Sequence, residues 1–197
     1  MDRRKALKFT GSMAALAVSG PSLLSLLQSC KNEARMDWQP IFLTIDEAAF
    51  VSKIVDMILP RTDTPGALDV KTDIFIDKVY ANLYDADAQE HVRNEIEKFN
   101  QDCISDFGDS FVNLSESDQI KVLQKAEENS GQFGSGVWGT TVGKPEPVGF
   151  YRSLKSTALW GYFTSQEIGE NVLSYDPIPG GYNGCIPLSE VGNKWSL

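Results

Sequence analysis

His91 is the one histidine in the 197 residues, so any histidine-based triad or neutral-pH proton shuttle would have to use it. It stands in Gln89-Glu90-His91-Val92-Arg93, a charged stretch of helical character, where a solvated surface residue is the plainer reading. Three cysteines are present, Cys30, Cys103 and Cys185, without a C-x-x-C-H haem site and without Cys/His spacing suited to zinc. Gly134-Ser135-Gly136-Val137-Trp138-Gly139 spells G-x-G-x-x-G. That pattern binds a pyrophosphate only between a strand and the N-terminus of a helix. Here acidic Glu127-Glu128 precedes it and Gly143-Lys144-Pro145 follows, which is the setting of a surface loop. Carboxylates recur as Asp85/Asp87, Glu95/Glu97 and Glu116/Asp118, but residues two apart on a helix diverge, and solvated faces account for them. The residue types thus point to no catalytic, cofactor-binding or metal-binding set on this chain. A redox role would need a cofactor carried by another one.

The cysteines have other uses. Leu27-Gln28-Ser29-Cys30 is similar to a lipobox, in which the Cys30 thiol takes a diacylglyceryl group and becomes the new N-terminus. Each buried CH₂ of such a chain contributes about 0.8 kcal/mol to membrane binding. The segment before it fits an export signal: Arg3 and Arg4 precede nineteen uncharged residues, Phe9 to Leu27, diluted by Gly, Ser and Pro. The arginine pair suggests the twin-arginine route, which carries folded cargo. Cleavage elsewhere, or retention of the segment as a membrane span, are the competing readings. Cys103 falls on a helical apolar stripe and reads as a core thiol. A disulfide to Cys185, or a bond from Cys185 to another chain, stay open.

Removing residues 1–29 takes away four basic residues and one acidic one, leaving fourteen basic against twenty-six acidic. Nucleic acid is excluded as a partner on this balance, because phosphate binding needs clustered Lys and Arg. Anionic lipid would repel such a chain, so the lipid on Cys30 is the expected membrane tether.

The elements that would position these residues are helical. Thr44 and Glu47 form a capping box ahead of Val51, Ile54, Val55 and Ile58, and Pro60 ends that helix. A second helix is predicted from Asp73 to Tyr84, with Phe75, Ile76, Val79 and Leu83 inward. A third runs from about Asp87 to Phe107, with Val92, Ile96, Phe99, Cys103 and Phe107 as its stripe and Gly108 as its stop. Ser115 starts a fourth, with Ile120, Leu123 and Ala126 on one side. Residues 131–147 read as a glycine-rich loop, followed by helices over Phe150–Tyr162 and Ser165–Leu173. From Ser174 to Leu197 only turns are predicted. The fold class is mainly α: a single-domain bundle of about five to six helices with a long irregular C-terminal tail. The predicted organisation is a signal peptide over 1–29, lipid anchor and linker over 30–43, and a helical domain over 44–197 whose tail, 174–197, wraps either its own domain or a partner.

Several blocks are similar to the small subunit of gluconate 2-dehydrogenase complexes, called subunit 3. They are the Arg3-Arg4 signal, Phe42-Leu43-Thr44, the loop Ile58-Leu59-Pro60-Arg61-Thr62-Asp63-Thr64-Pro65-Gly66-Ala67, Gly161-Tyr162-Phe163-Thr164-Ser165 and the tail Tyr175-Asp176-Pro177-Ile178-Pro179-Gly180-Gly181-Tyr182-Asn183-Gly184-Cys185. The resemblance covers nearly all of the chain after the signal, and the tail is its most specific part. Gly181 stands where the family often has a basic residue, and the Cys30 lipobox is not general in it. The resemblance implies a complex in which a large flavoprotein of the glucose–methanol–choline type carries FAD and oxidises a sugar or sugar acid. A cytochrome c subunit or similar carrier would take the electrons. The small subunit would hold no cofactor, would not be an enzyme, and would support folding and export of the large one on the periplasmic side of the cell envelope. Trp160, Tyr175, Asp176, Pro177, Tyr182 and Cys185 are the expected docking residues. The rival readings are a stand-alone envelope lipoprotein that binds or scaffolds, and a small exported enzyme.

Overall fold

The computed structural model describes residues 38–131, 133, 136–137, 140–141, 147–175, 180 and 185–194. The first helix, α1 (Ile45–Ile58), begins where the sequence places it. The Thr44 side chain accepts from the Glu47 amide at 3.2 Å, and the Glu47 carboxylate accepts from the Thr44 amide at 2.7 Å. These bonds satisfy amides that a helix N-terminus leaves orphaned. Ala48, Phe50, Val51, Ile54 and Val55 are buried, so α1 is covered over much of its circumference and serves as the central helix.

α2 (Thr72–Leu83) starts from Lys71 in a left-handed conformation and buries Ile76, Val79 and Tyr80. α3 (Ala86–Phe107) is capped by Asp85 and stops at Gly108, whose φ of +88° suits glycine. A 3-10 turn, Phe111–Asn113, inserts the Phe111 ring beneath α1. Phe50, Phe99 and Phe111 meet edge to face, with centroids 5.3 to 5.7 Å apart. α4 (Glu116–Glu128) is capped by Ser115, and α5 (Phe150–Phe163) is tied to it by Arg152 and Lys155, both paired with Glu127. α6 (Gln166–Asn171) seals one end with Ile168 fully buried. The core is these apolar faces closed around α1, each large side chain contributing roughly 1.5–3 kcal/mol by leaving water.

The mainly helical single-domain fold is as the sequence predicts, and the differences lie in which residues face inward. Leu83, expected in the core, is 67% exposed. Tyr80 and Tyr84 pack against each other and Tyr80 against Phe42, while Gln89 donates to the Tyr80 carbonyl at 2.9 Å. Those groups fill the inward side of the last turn of α2. Ile120 is 44% exposed, and Gln119 takes the inward place because its amide donates to the carbonyls of Phe111 and Val112. Phe107, at the last turn of α3, is also partly exposed. Between α4 and α5 a two-residue ladder pairs β1 (Gly136–Val137) with β2 (Thr140–Thr141), antiparallel. The segment predicted as turns contains a four-residue helix, α7 (Leu188–Val191), too short to leave a periodic signature.

Residues 41–43, read from sequence as linker, belong to the packed unit that begins at Trp38. The fully buried Asp77 carboxylate accepts the N–H groups of Ile41, Phe42 and Leu43 at 2.7, 3.0 and 2.8 Å. Arg93 completes the clamp: it bonds the Phe42 carbonyl, lies 4.4 Å above the Phe42 ring and pairs with Glu47 at 2.7 Å.

Candidate docking surface

The sequence places Trp160 on the last turn of α5, and the packing of that turn on α2 decides what Trp160 can do. Gly161 faces α2 so closely that a Cβ there would overlap the Phe75 ring. With no side chain between them the helices approach, and the Phe75 ring meets Trp160 edge-on at 5.0 Å. Trp160 is nevertheless 51% exposed. The ring packs against Phe75 and stays half open to water.

The same turn holds the loop after α1. Tyr162 is buried and its phenol donates to the Pro65 carbonyl at 2.8 Å, across ninety-seven residues. Within that loop the Ala67 amide returns to the Leu59 carbonyl at 2.8 Å, and the Gly66 amide donates to Asp69 at 2.8 Å. Arg61 pairs with Asp69 at 3.4 Å. The loop is therefore a closed, internally bonded unit fastened to α5.

Phe163, one residue on, packs against Tyr162 and carries Lys194 Nζ 5.3 Å from its ring centroid. The tail returns here. The Ser174 amide donates to the Lys194 carbonyl at 2.9 Å, Ser174 and Asn193 exchange hydrogen bonds at 3.0 Å, and the Asn193 amide side chain reaches the Val172 carbonyl at 3.0 Å. The tail is thus closed at its base. Tyr175 and Cys185 are exposed beyond that base, as are Ile186 and Leu188. The contacts Phe163–Lys194–Ser174 connect the Trp160 turn to Tyr175. Asp176, Pro177 and Tyr182, with Arg3, Arg4 and Cys30, lie outside the described residues.

The groups considered for chemistry are placed elsewhere. His91 is exposed on α3. Cys103 is a buried free thiol, so it forms no bond to Cys185. It borders a groove of about 420 Å³ between α3 and α4. Burial first, then the carboxylates of Asp102 and Asp106, push its thiol up to about 11, which leaves it a poor nucleophile at neutral pH. Asp85 caps α3, and Asp118 accepts from the hydroxyl of Ser115, the cap of α4, at 2.7 Å. Asp118 is held below the usual carboxylate range by its hydrogen bonds from Lys121 and Ser115. Gly136 and Val137 of the G-x-G-x-x-G pattern lie inside β1. Among the described residues no helix follows before Phe150, so the strand–glycine–helix order that holds a dinucleotide is not formed there. Among the described residues no group of three or more His, Cys, Asp or Glu is placed to hold a metal ion.

Two features escape sequence reasoning. Asp77 sits on the buried face of α2 beside Ile76 and one turn from both Asp73 and Tyr80; an aspartate inside an apolar stripe is the available signal. The Gly161–Phe75 approach has none, since a helical glycine is equally compatible with a weak point in the helix.

Residues 45–180 match the family model described as gluconate 2-dehydrogenase subunit 3. No curated protein and no solved structure matches the chain.

Proposed function

Because the chain belongs to the gluconate 2-dehydrogenase subunit 3 family, we propose that it is the non-catalytic small subunit of a flavin-dependent sugar or sugar-acid dehydrogenase. It binds the large FAD-carrying subunit of glucose–methanol–choline type, stabilises it, and takes it through the membrane folded on the Arg3-Arg4 signal. Acylation at Cys30 then holds the complex on the periplasmic side of the envelope, near a cytochrome c subunit that removes the electrons.

The observation that carries this reading is the half-exposed Trp160, packed edge-on against Phe75 beside a latched tail that exposes Tyr175. An aromatic that is both fixed and exposed loses little conformational entropy on binding, which is the character of an interface anchor. The phenol of Tyr162 and the base of the tail keep three segments that are distant in sequence on one support.

Gentle solubilisation of native membranes, capture of this chain and a visible spectrum of the eluate test the proposal. A larger co-eluting chain with a flavin band supports it. Capture of the chain alone, in full yield and without flavin, counts against it.

A further inference from the structure

The Asp77–Arg93 clamp holds the start of the domain at several points. Three consecutive amides, the Phe42 carbonyl and the Phe42 ring are all held. The clamped segment nevertheless presents two large apolar side chains to water: Ile41 is 68% exposed and Ile45 is 71% exposed. They lie four residues apart at the entry to α1, and Trp38, an aromatic of the kind enriched at membrane–water interfaces, stands half-buried just before them.

We infer that the Trp38–Ile45 segment is the surface with which the domain rests on a lipid bilayer, the Ile41 and Ile45 side chains entering the headgroup–acyl boundary. The inference builds on the reading of Cys30 as the acylated residue. Seven residues, Lys31 to Asp37, separate Cys30 from Trp38. A chain of that length reaches at most about 28 Å when fully extended. α3 alone, with 22 residues, is about 33 Å long. The acylated end therefore stays within about 28 Å of Trp38, a distance shorter than α3. The clamp fixes the tether's attachment point, so the apolar pair next to it is what the bilayer meets.

The electrostatics choose the lipid. With residues 1–29 removed the chain holds fourteen basic and twenty-six acidic residues, a net charge of −12, and Asp46 is exposed beside Ile45, so an anionic surface is disfavoured. Glu47 is paired with Arg93 and adds little repulsion. A zwitterionic surface fits.

The test uses the acylated full chain on phosphatidylcholine vesicles that contain a photoactivatable diazirine phosphatidylcholine, with adducts mapped by mass spectrometry. Adducts are expected on the peptide holding Ile41 and Ile45, and they should fall at least about tenfold in the Ile41→Ser/Ile45→Ser variant. Both side chains are exposed, so the urea midpoint of that variant should match the parent and report an intact fold. Unchanged labelling in the variant, or adducts concentrated on α4 or α5, overturns the inference while leaving acylation standing. A mass for the N-terminal peptide without a diacylglyceryl group on Cys30 overturns the anchor reading itself, and the inference with it.

Discussion

The buried carboxylate of Asp77 accepts the backbone N–H of Leu43 at 2.8 Å, joining two residues thirty-four positions apart. The Ile41 and Phe42 amides converge on the same group, so one side chain satisfies the backbone immediately ahead of α1. Asp77→Ala would leave those donors without a partner, one of them in the interior. A loss of about 3 kcal/mol in unfolding free energy is expected, measured by urea denaturation. Asp77→Asn keeps an acceptor oxygen and should lose less. Equal loss in both variants would show that the charge, and not the shape of the acceptor, is what matters.

Gly161→Ala drives a methyl group into the Phe75 ring. Either the ring moves or the helices separate, at a cost of about 1–3 kcal/mol. Phe75→Leu alone loses aromatic packing against Trp160 but leaves room at Gly161. In the double variant the two effects should be less than additive, since both act at one contact. Full additivity in thermal or urea unfolding would mean that the close approach is not what Gly161 provides.

These two contacts also mark what the sequence can convey. Capping residues Thr44, Asp85 and Ser115 and the stop at Gly108 are local signals, and the helix starts and ends fall within a residue or two of where they point. Facing is a tertiary property. Leu83 and Ile120 fit the helical period yet face outward, because tyrosines fill one site and Gln119 serves the carbonyls of the 3-10 turn at the other. Trp160 and Phe163 of α5 are legible as exposed aromatics. The bond from Tyr162 to Pro65 is not, since nothing local in either segment specifies a partner ninety-seven residues away.

Tyr162→Phe removes that bond while keeping the ring. A stability loss of about 1 kcal/mol is expected. The larger effect should be local: amide exchange in residues 61–67 should accelerate, because the loop loses its link to α5. Unchanged exchange there would show that the Leu59–Ala67 and Gly66–Asp69 bonds hold the loop without help.

Trp160→Ala separates folding from association. The ring is half exposed and makes one edge contact with Phe75, so truncation should cost the isolated chain only about 1 kcal/mol. Under the proposed function it should weaken capture of the flavoprotein by about 2 kcal/mol or more, roughly thirtyfold in Kd. Leu83→Ala, which removes an exposed apolar side chain from α2, serves as the control and should leave binding unchanged. Binding losses of equal size in both variants would indicate general sensitivity of the surface and not an anchor at Trp160.

Alkaline pH should destabilise the domain ahead of any chemistry on its surface. Burial raises the Cys103 thiol from 9.0 to about 11, with Asp102 and Asp106 adding to the effect. Burial also raises the phenols of Tyr80 and Tyr151, with further contributions from Tyr84 and Glu127 respectively. All three groups are neutral when protonated, so the folded state keeps protons that the unfolded chain releases first. Their contribution is complete below the unfolded values and is lost as pH rises through the folded ones. The urea midpoint should therefore hold steady up to about pH 8.5 and fall as pH climbs toward 11. Cys103→Ala should be less stable at neutral pH, because it leaves a small cavity, yet its midpoint should fall less steeply between about pH 9 and 11. A variant whose alkaline slope equals the parent's would assign the loss to the tyrosines alone.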